Sequence, residues 1–278
     1  PANWAVTCGA LFKTQTGQPI TTAVVAASGV ATAQQRLMVI FGTGEKVPPT
    51  NTAAVSYSMA QQDLYGVWDW NLSYWNSISG TQYASLTSSG VSGSLQATNL
   101  AAETVTVVTG TGTNAGDRDI DSAATICWTG TTTCGSSSAS NQQFGWYLPL
   151  PGTTTTSGTV SSYEQFIYNP EIVGPAVVIN SILPAANIPT SCTISSDQGW
   201  TYAVSALTGA ALTNAFPQYN DANAAGVNTN ATGGSFPIQN STGQTYLVYQ
   251  TVLNAHEVTQ FNPGANTTAK RLTWVQRR

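Results

Sequence analysis

Charge is what this sequence has least of. Lys, Arg, Asp and Glu together make up 7% of its 278 residues, against about a quarter in an ordinary globular chain. That scarcity excludes coiled coils and long solvent-facing helices, whose outer faces depend on Glu, Lys and Arg. Eight basic residues against twelve acidic ones leave a net charge of −4 and a pI near 4.7. A footprint for phosphate backbones is missing, which excludes nucleic-acid binding. The sequence holds one histidine, His256, and no GxSxG, so a nucleophile activated by imidazole has one candidate base. His256 and Glu257 are adjacent, and neighbours on a strand point to opposite faces. No apolar run approaches the ~18 residues of a membrane helix; the best, 172–183, is broken by Gly174, Pro175 and Asn180. An initiator Met and a signal peptide are also missing, and the chain reads as a processed product or a piece of something longer.

What is present is polar, uncharged and β-forming. Thr supplies 41 residues, and aromatics are a normal 9% with 8 Trp and 11 Tyr. Short segments rich in β-branched and aromatic residues recur: 36–41 (RLMVIF), 104–109 (TVTVVT), 144–150 (FGWYLPL), 176–183 (AVVINSIL), 199–207 (GWTYAVSAL), 245–252 (TYLVYQTV) and 271–276 (RLTWVQ). Each has strand composition, and Gly/Ser/Thr/Asn/Pro stretches such as 135–141 and 152–161 separate them. Helical periodicity is confined to a turn or two at 53–63 and at 97–103. Many short strands with turn chemistry between them mean an all-β sandwich, barrel or propeller. No composition shift marks a linker, so one domain is expected over 1–278, with an irregular polar insertion at 74–100.

Four cysteines, Cys8, Cys127, Cys134 and Cys192, form no CxxC pair, and with a single His they do not make a finger-like zinc set. Three disulfide connectivities are open. Cys127 and Cys134 flank a short polar loop that a bridge would close, leaving Cys8 with Cys192. An even count with few charges points to an exported, oxidising setting. Asp117, Asp119 and Asp121 alternate within GDRDIDS and are the weak candidates for a hard cation such as calcium; the glycine of a full calcium loop is replaced by Ser122 and its closing Glu by Trp128. The stretch 220–226 (NDANAAG) resembles such a loop less. The bland reading of both is a solvated polar loop, and no cofactor is expected. With only twelve carboxylates, stability is expected to change little between neutral pH and about pH 3.

Several motifs fall in one order: 17–21 (GQPIT), 37–44 (LMVIFGTG), 65–69 (YGVWD), 145–151 (GWYLPLP), 188–192 (IPTSC), 199–202 (GWTY) and 271–274 (RLTW). As an ordered set they resemble the C-terminal β-propeller of the PilC/PilY family, type IV pilus-associated assembly factors and tip adhesins. The resemblance runs over nearly the whole chain, with poor coverage at 74–131 and 210–235. It implies an irregular or partial β-propeller of about five to seven blades with long polar loops, the C-terminal part of a longer exported protein. Gly42, Gly44, Trp68, Asp69, Trp146, Trp200 and Trp274 are its motif residues. The two glycines of FGTG are expected to serve a tight reversal, and the tryptophans to pack between blades. The family's calcium loop normally precedes QPIT, a stretch this chain does not have, so that site does not carry over. The implied function is non-enzymatic: pilus assembly or surface adhesion at the pilus tip, outside the cell or on its outer surface. The implied partners are pilins or minor pilins and a host or abiotic surface. The rival readings are an exported carbohydrate-active or other hydrolytic propeller enzyme, and a structural subunit of an extracellular filament.

Overall fold

The computed structural model describes residues 10–48, 56–72, 94–109, 114–121, 123–128, 144–154, 160–185, 196–219, 221–253, 255–264 and 269–271. Among them the chain is all-β, with two single-turn 3₁₀ helices (Ala97–Asn99 and Pro217–Tyr219) and no α-helix. In chain order the strands begin with β1 Val25–Ala31, β2 Gln34–Gly42, β3 Lys46–Val47, β4 Ser56–Tyr57 and β5 Asp63–Trp68. There follow β6 Ala101–Ala102, β7 Thr106–Val107, β8 Arg118–Asp119, β9 Gly145–Pro149, β10 Gly152–Thr154, β11 Val160–Tyr163 and β12 Glu171–Val173. The last are β13 Ala176–Asn180, β14 Trp200–Ser205, β15 Ala224–Asn228, β16 Ala231–Gln239, β17 Thr245–Thr251, β18 His256–Phe261 and β19 Ala269–Arg271.

Three sheets carry the architecture. The first has the order β19-β1-β2-β5-β9-β6, the second β12-β13-β14-β15-β8-β7, and the third β16-β17-β18. In the first sheet β19, the last strand described, pairs antiparallel with β1, the first, so chain-distant strands complete one sheet. Three apolar motifs lie side by side there: β2 carries RLMVIF, β5 YGVW and β9 GWYLP, all in antiparallel register.

The second sheet sits between two cores. Side chains alternate across a strand, and in β13 Val177 and Ile179 join the large core shared with the first sheet. Ala176 and Val178 face the other way, into the core shared with the third sheet. Partner strand β14 follows the same rule: Tyr202 and Val204 go to the first core, Ala203 to the second. A strand covered on both faces needs no polar alternation, which is why 176–180 is buried throughout. By contrast β17 and β18 have one buried face and one open one, with Leu247, Tyr249 and Phe261 inward and Val258 exposed.

Two expected features differ. TVTVVT yields only the two-residue edge strand β7, whose Val107 is exposed, while the neighbouring Val105 packs against the large core. The expected helical turn at 53–63 is instead β4 and the start of β5 where it is described, whereas the one at 97–103 is a 3₁₀ turn followed by β6. The hairpin β1–β2 turns on Thr32 and Ala33, both with positive φ (50° and 60°), without the Asn-Gly pair that usually supplies this geometry.

Candidate functional site

The motif residues build the joints between elements. Gln18 of GQPIT is buried, and its Nε2 donates to Asp63 Oδ2 (2.7 Å) and to the Gln61 carbonyl (2.9 Å). The Tyr65 hydroxyl lies 2.6 Å from Gln18 Oε1 and 2.7 Å from Asp63 Oδ2, one proton between two acceptors. Burial raises the Asp63 carboxyl while the Tyr65, Gln18 and Gln15 donors pull it back. This network fastens the segment before β1 to the middle of the first sheet.

The glycines of FGTG do not make a tight reversal. Gly42 ends β2, and a Cβ there would lie 2.4 Å from Cβ of Phe166; one on Gly44 would lie 2.7 Å from the Phe166 carbonyl. The 165–166 segment crosses against both, its Phe166 N–H donating to the Thr43 carbonyl, and Gly44 also has a positive φ of 153°. Trp146 is wholly buried over Gly66, its cross-strand partner, and against Gly209 of the turn after β14. Its Nε1 donates to the Ala206 carbonyl (3.2 Å), so this indole joins the first sheet to the second. Trp68 is also wholly buried, edge-on to Trp128, with the Arg36 guanidinium 4.3 Å above its ring. Arg36 donates to Gln34 Oε1 (2.8 Å), Thr32 Oγ1 (3.3 Å) and the Trp128 carbonyl (3.2 Å), clamping the β1–β2 turn. Asp69 donates its backbone N–H to the Leu37 carbonyl, and burial raises its carboxyl.

In the second sheet the charged groups come together inside. Glu164 accepts from Arg118 Nε (3.0 Å) and Nη2 (2.9 Å), and from the Ser181 hydroxyl. The Arg118 guanidinium stacks 3.9 Å from the Trp200 ring, and Trp200 Nε1 donates to the Gly116 carbonyl (2.9 Å). Burial pushes the Glu164 carboxyl up, and the Arg118 charge pulls it back. Sequence reasoning missed this pair; the available signal was scarcity itself, since a lone Glu in an apolar neighbourhood of so uncharged a chain calls for an internal partner.

Above the pair the GDRDIDS and NDANAAG stretches meet. Asp117 Oδ1 accepts the Asn228 N–H (3.0 Å), Asn223 Nδ2 reaches Asp121 Oδ1 (3.4 Å), and Asp221 Oδ1 accepts the Asn223 N–H (2.9 Å). Burial, then the charges of Asp221 and Asp121, push the Asp119 carboxyl up to about 6. Burial raises Asp117 to about 6 as well, against the Asn228 hydrogen bond and the Arg118 charge. Among the described residues no three His, Cys, Asp or Glu side chains are arranged to hold a metal ion. Asp117 is buried whereas Asp121 is exposed, which separates the three alternating carboxylates between interior and surface. Cys127 is buried with its sulfur engaged; Cys8, Cys134, Cys192 and Trp274 lie outside the described residues.

Sheets stacked face to face, a shared strand pairing between distant parts of the chain, and glycine-seated tryptophans at the joints define an all-β protein of β-propeller type, irregular or partial. No sheet among the described residues closes on itself. Among solved structures it is similar to the C-terminal domain of PilY1 from Pseudomonas aeruginosa, with a TM-score of 0.54 and 19% sequence identity. The match covers 89% of this chain and 45% of that one, so the chain spans less than half the length of its structural neighbour. At that identity the likeness shows the fold. No family model and no curated protein matches the chain. No helix among the described residues is long and apolar enough to cross a membrane.

Proposed function

We propose that this chain is the propeller part of a type IV pilus-associated protein of the PilC/PilY kind, working without catalytic turnover in pilus assembly or in adhesion at the pilus tip. The observation that carries the reading is the likeness to the PilY1 C-terminal domain over 89% of the chain. It is supported by the placement of the ordered motifs: FGTG, YGVWD and GWYLP meet along neighbouring strands, and GQPIT, before β1, is fastened to them through Gln18 and Asp63. The non-enzymatic part is supported by the carboxylates. Glu164, Asp63 and Asp117 are committed to internal hydrogen bonds, and the groove between the β16–β17 turn, the end of β18 and the β12–β13 turn has no acid or base in its lining. On this reading the scaffold presents its loops to pilins or minor pilins, or to a host or abiotic surface, outside the cell or on its outer face.

The test is in-frame removal of residues 10–271 from the gene in its own bacterium. Sheared surface pilin is quantified by immunoblot, and attachment to plastic and to epithelial monolayers is counted. Loss of pili, or loss of attachment with pili retained, supports the reading. A strain unchanged in both overturns it. Turnover of ester, glycoside or phosphate substrates by the purified chain, abolished by changing one Asp, Glu or His, overturns the non-enzymatic part.

A further inference from the structure

At the turn end of the third sheet lies a groove of about 630 Å³, within the size range of sites for small organic ligands. It runs between the β16–β17 turn, the end of β18 and the β12–β13 turn, and none of its lining residues is charged. The polar side chains are four amides, Gln239, Gln244, Gln260 and Asn262, and the Thr245 hydroxyl. An amide presents donor and acceptor together, which suits a ligand whose hydroxyls need both.

These amides are fixed in part by the turn. Gln244 Oε1 accepts from Asn240 Nδ2 (3.0 Å), the Thr242 hydroxyl (3.3 Å) and the Tyr246 hydroxyl (3.2 Å). Gln239 Nε2 donates to the Gly243 carbonyl (3.0 Å). Each side chain is therefore oriented through one end of its amide, leaving the Gln244 Nε2 donor and the Gln239 Oε1 acceptor for a ligand. Pro237, which shares the face of β16 that carries Gln239, and Pro217 and Pro263 line the groove; they supply apolar surface beside the amides, the combination that receives a sugar ring with its C–H face and its hydroxyls.

The alternatives fit less well. Phosphates, sulfated sugars and sialylated sugars need cations that the groove does not have. A peptide strand adding to β18 finds that edge taken, since the Gln260 N–H donates to Gln218 Oε1 (3.3 Å) and the Asn262 N–H to the Ala215 carbonyl (2.8 Å). A polyproline helix docks on aromatic ridges, and the one aromatic in the lining, Phe261, is 2% exposed.

We propose that this groove binds a neutral saccharide, held by the amides of Gln239, Gln244, Gln260 and Asn262. The proposal deepens the adhesive reading and rests on it for its biological setting. The two fail separately, because the cellular deletion tests pilus association and binding by the purified chain tests the saccharide.

The experiment is saturation-transfer NMR with calorimetry on the purified full chain. The neutral probes are maltose, lactose, mannobiose and N,N′-diacetylchitobiose; 3′-sialyllactose and a decaproline peptide are the contrasting ones. At least one neutral disaccharide is expected to bind with a Kd below about 10 mM, insensitive to salt. Gln260→Ala removes a side chain with no hydrogen bond of its own and is expected to leave the melting temperature unchanged. It should weaken binding by about fivefold to tenfold, the size of one hydrogen bond; Gln244→Ala should do the same or more. No neutral sugar bound at about 10 mM overturns the proposal. So does preference for the sialylated sugar or the peptide, or binding that survives both substitutions.

Discussion

Gly66→Ala is the sharpest single test of the joint between the first two sheets. A Cβ at Gly66 would stand 2.2 Å from Cε2 and 2.3 Å from Nε1 of Trp146, where carbon contacts settle at about 3.5–4.0 Å. The indole would have to withdraw by an ångström or more. It has little room, because the Gly209 Cα side approaches the same ring near Cε3 and Cδ2, where an added Cβ would lie 2.4–2.5 Å away. Overpacking of this kind costs about 1–3 kcal/mol, and pulling Nε1 from the Ala206 carbonyl adds about 1 kcal/mol. At ~2–4 °C per kcal/mol for a chain of this size, thermal melting of purified Gly66→Ala should fall by roughly 5–15 °C. Gly66 has no positive φ, so the loss would be steric rather than conformational. Gly234→Ala, where an added Cβ meets nothing within 4 Å, should stay within about 1 °C. In the Gly66→Ala/Trp146→Leu double variant the two losses should be less than additive, because the smaller side chain relieves the clash. Gly66→Ala melting within about 1 °C of the parent chain would refute the joint.

Three further outcomes follow from the described contacts. Glu164→Gln leaves Arg118 charged and buried and should destabilise by about 3–5 kcal/mol in urea unfolding; a loss under about 1 kcal/mol refutes the pair as drawn. Replacing Thr32-Ala33 by Asn-Gly relieves two non-glycine residues at positive φ and should stabilise by about 1–2 kcal/mol, read as a higher melting temperature; a lower one refutes the turn. Intact-mass analysis after alkylation without reductant should find no free thiol, in keeping with the engaged sulfur of Cys127 and the bridges expected for an exported chain; four alkylated thiols would refute both.

The sequence patterns showed strands where the physical signal was concentrated and lost them where it was spread. RLMVIF, GWYLP, AVVIN and WTYAVS were legible because a strand buried on one or both faces must be apolar and β-branched or aromatic. Strand β1, VAASGVA, was not: it is small and weakly apolar, holds its place through pairing with β2 and β19, and its turn lacks the Asn-Gly signal. Glycines read as turn-makers proved to be places where another segment comes close, a property of tertiary approach that no local pattern carries. The site was least legible of all. GDRDIDS and NDANAAG could be seen separately, whereas their meeting depends on β8 pairing with β15 across a hundred residues.

That meeting also changes the expectation for acid. Few carboxylates suggested a flat response, but several of those present are pushed up by burial: Glu103 to about 7, Asp117 and Asp119 to about 6, against about 4 in the unfolded chain. Between those limits the folded chain binds more protons than the unfolded one, so stability falls as pH rises. The gain is complete below about pH 4 and is lost as pH climbs through 6 and 7. For buried Glu103 and Asp117 it amounts to ~1–3 kcal/mol each after allowance for solvent near the surface. The melting temperature should therefore be higher at pH 5 than at pH 8 by roughly 4–12 °C, with Glu103→Gln flattening part of the slope. A melting temperature that rises steadily from pH 5 to pH 8 would mean that these carboxylates are ionised in the folded chain, held so by a cation or a donor that the described residues do not supply.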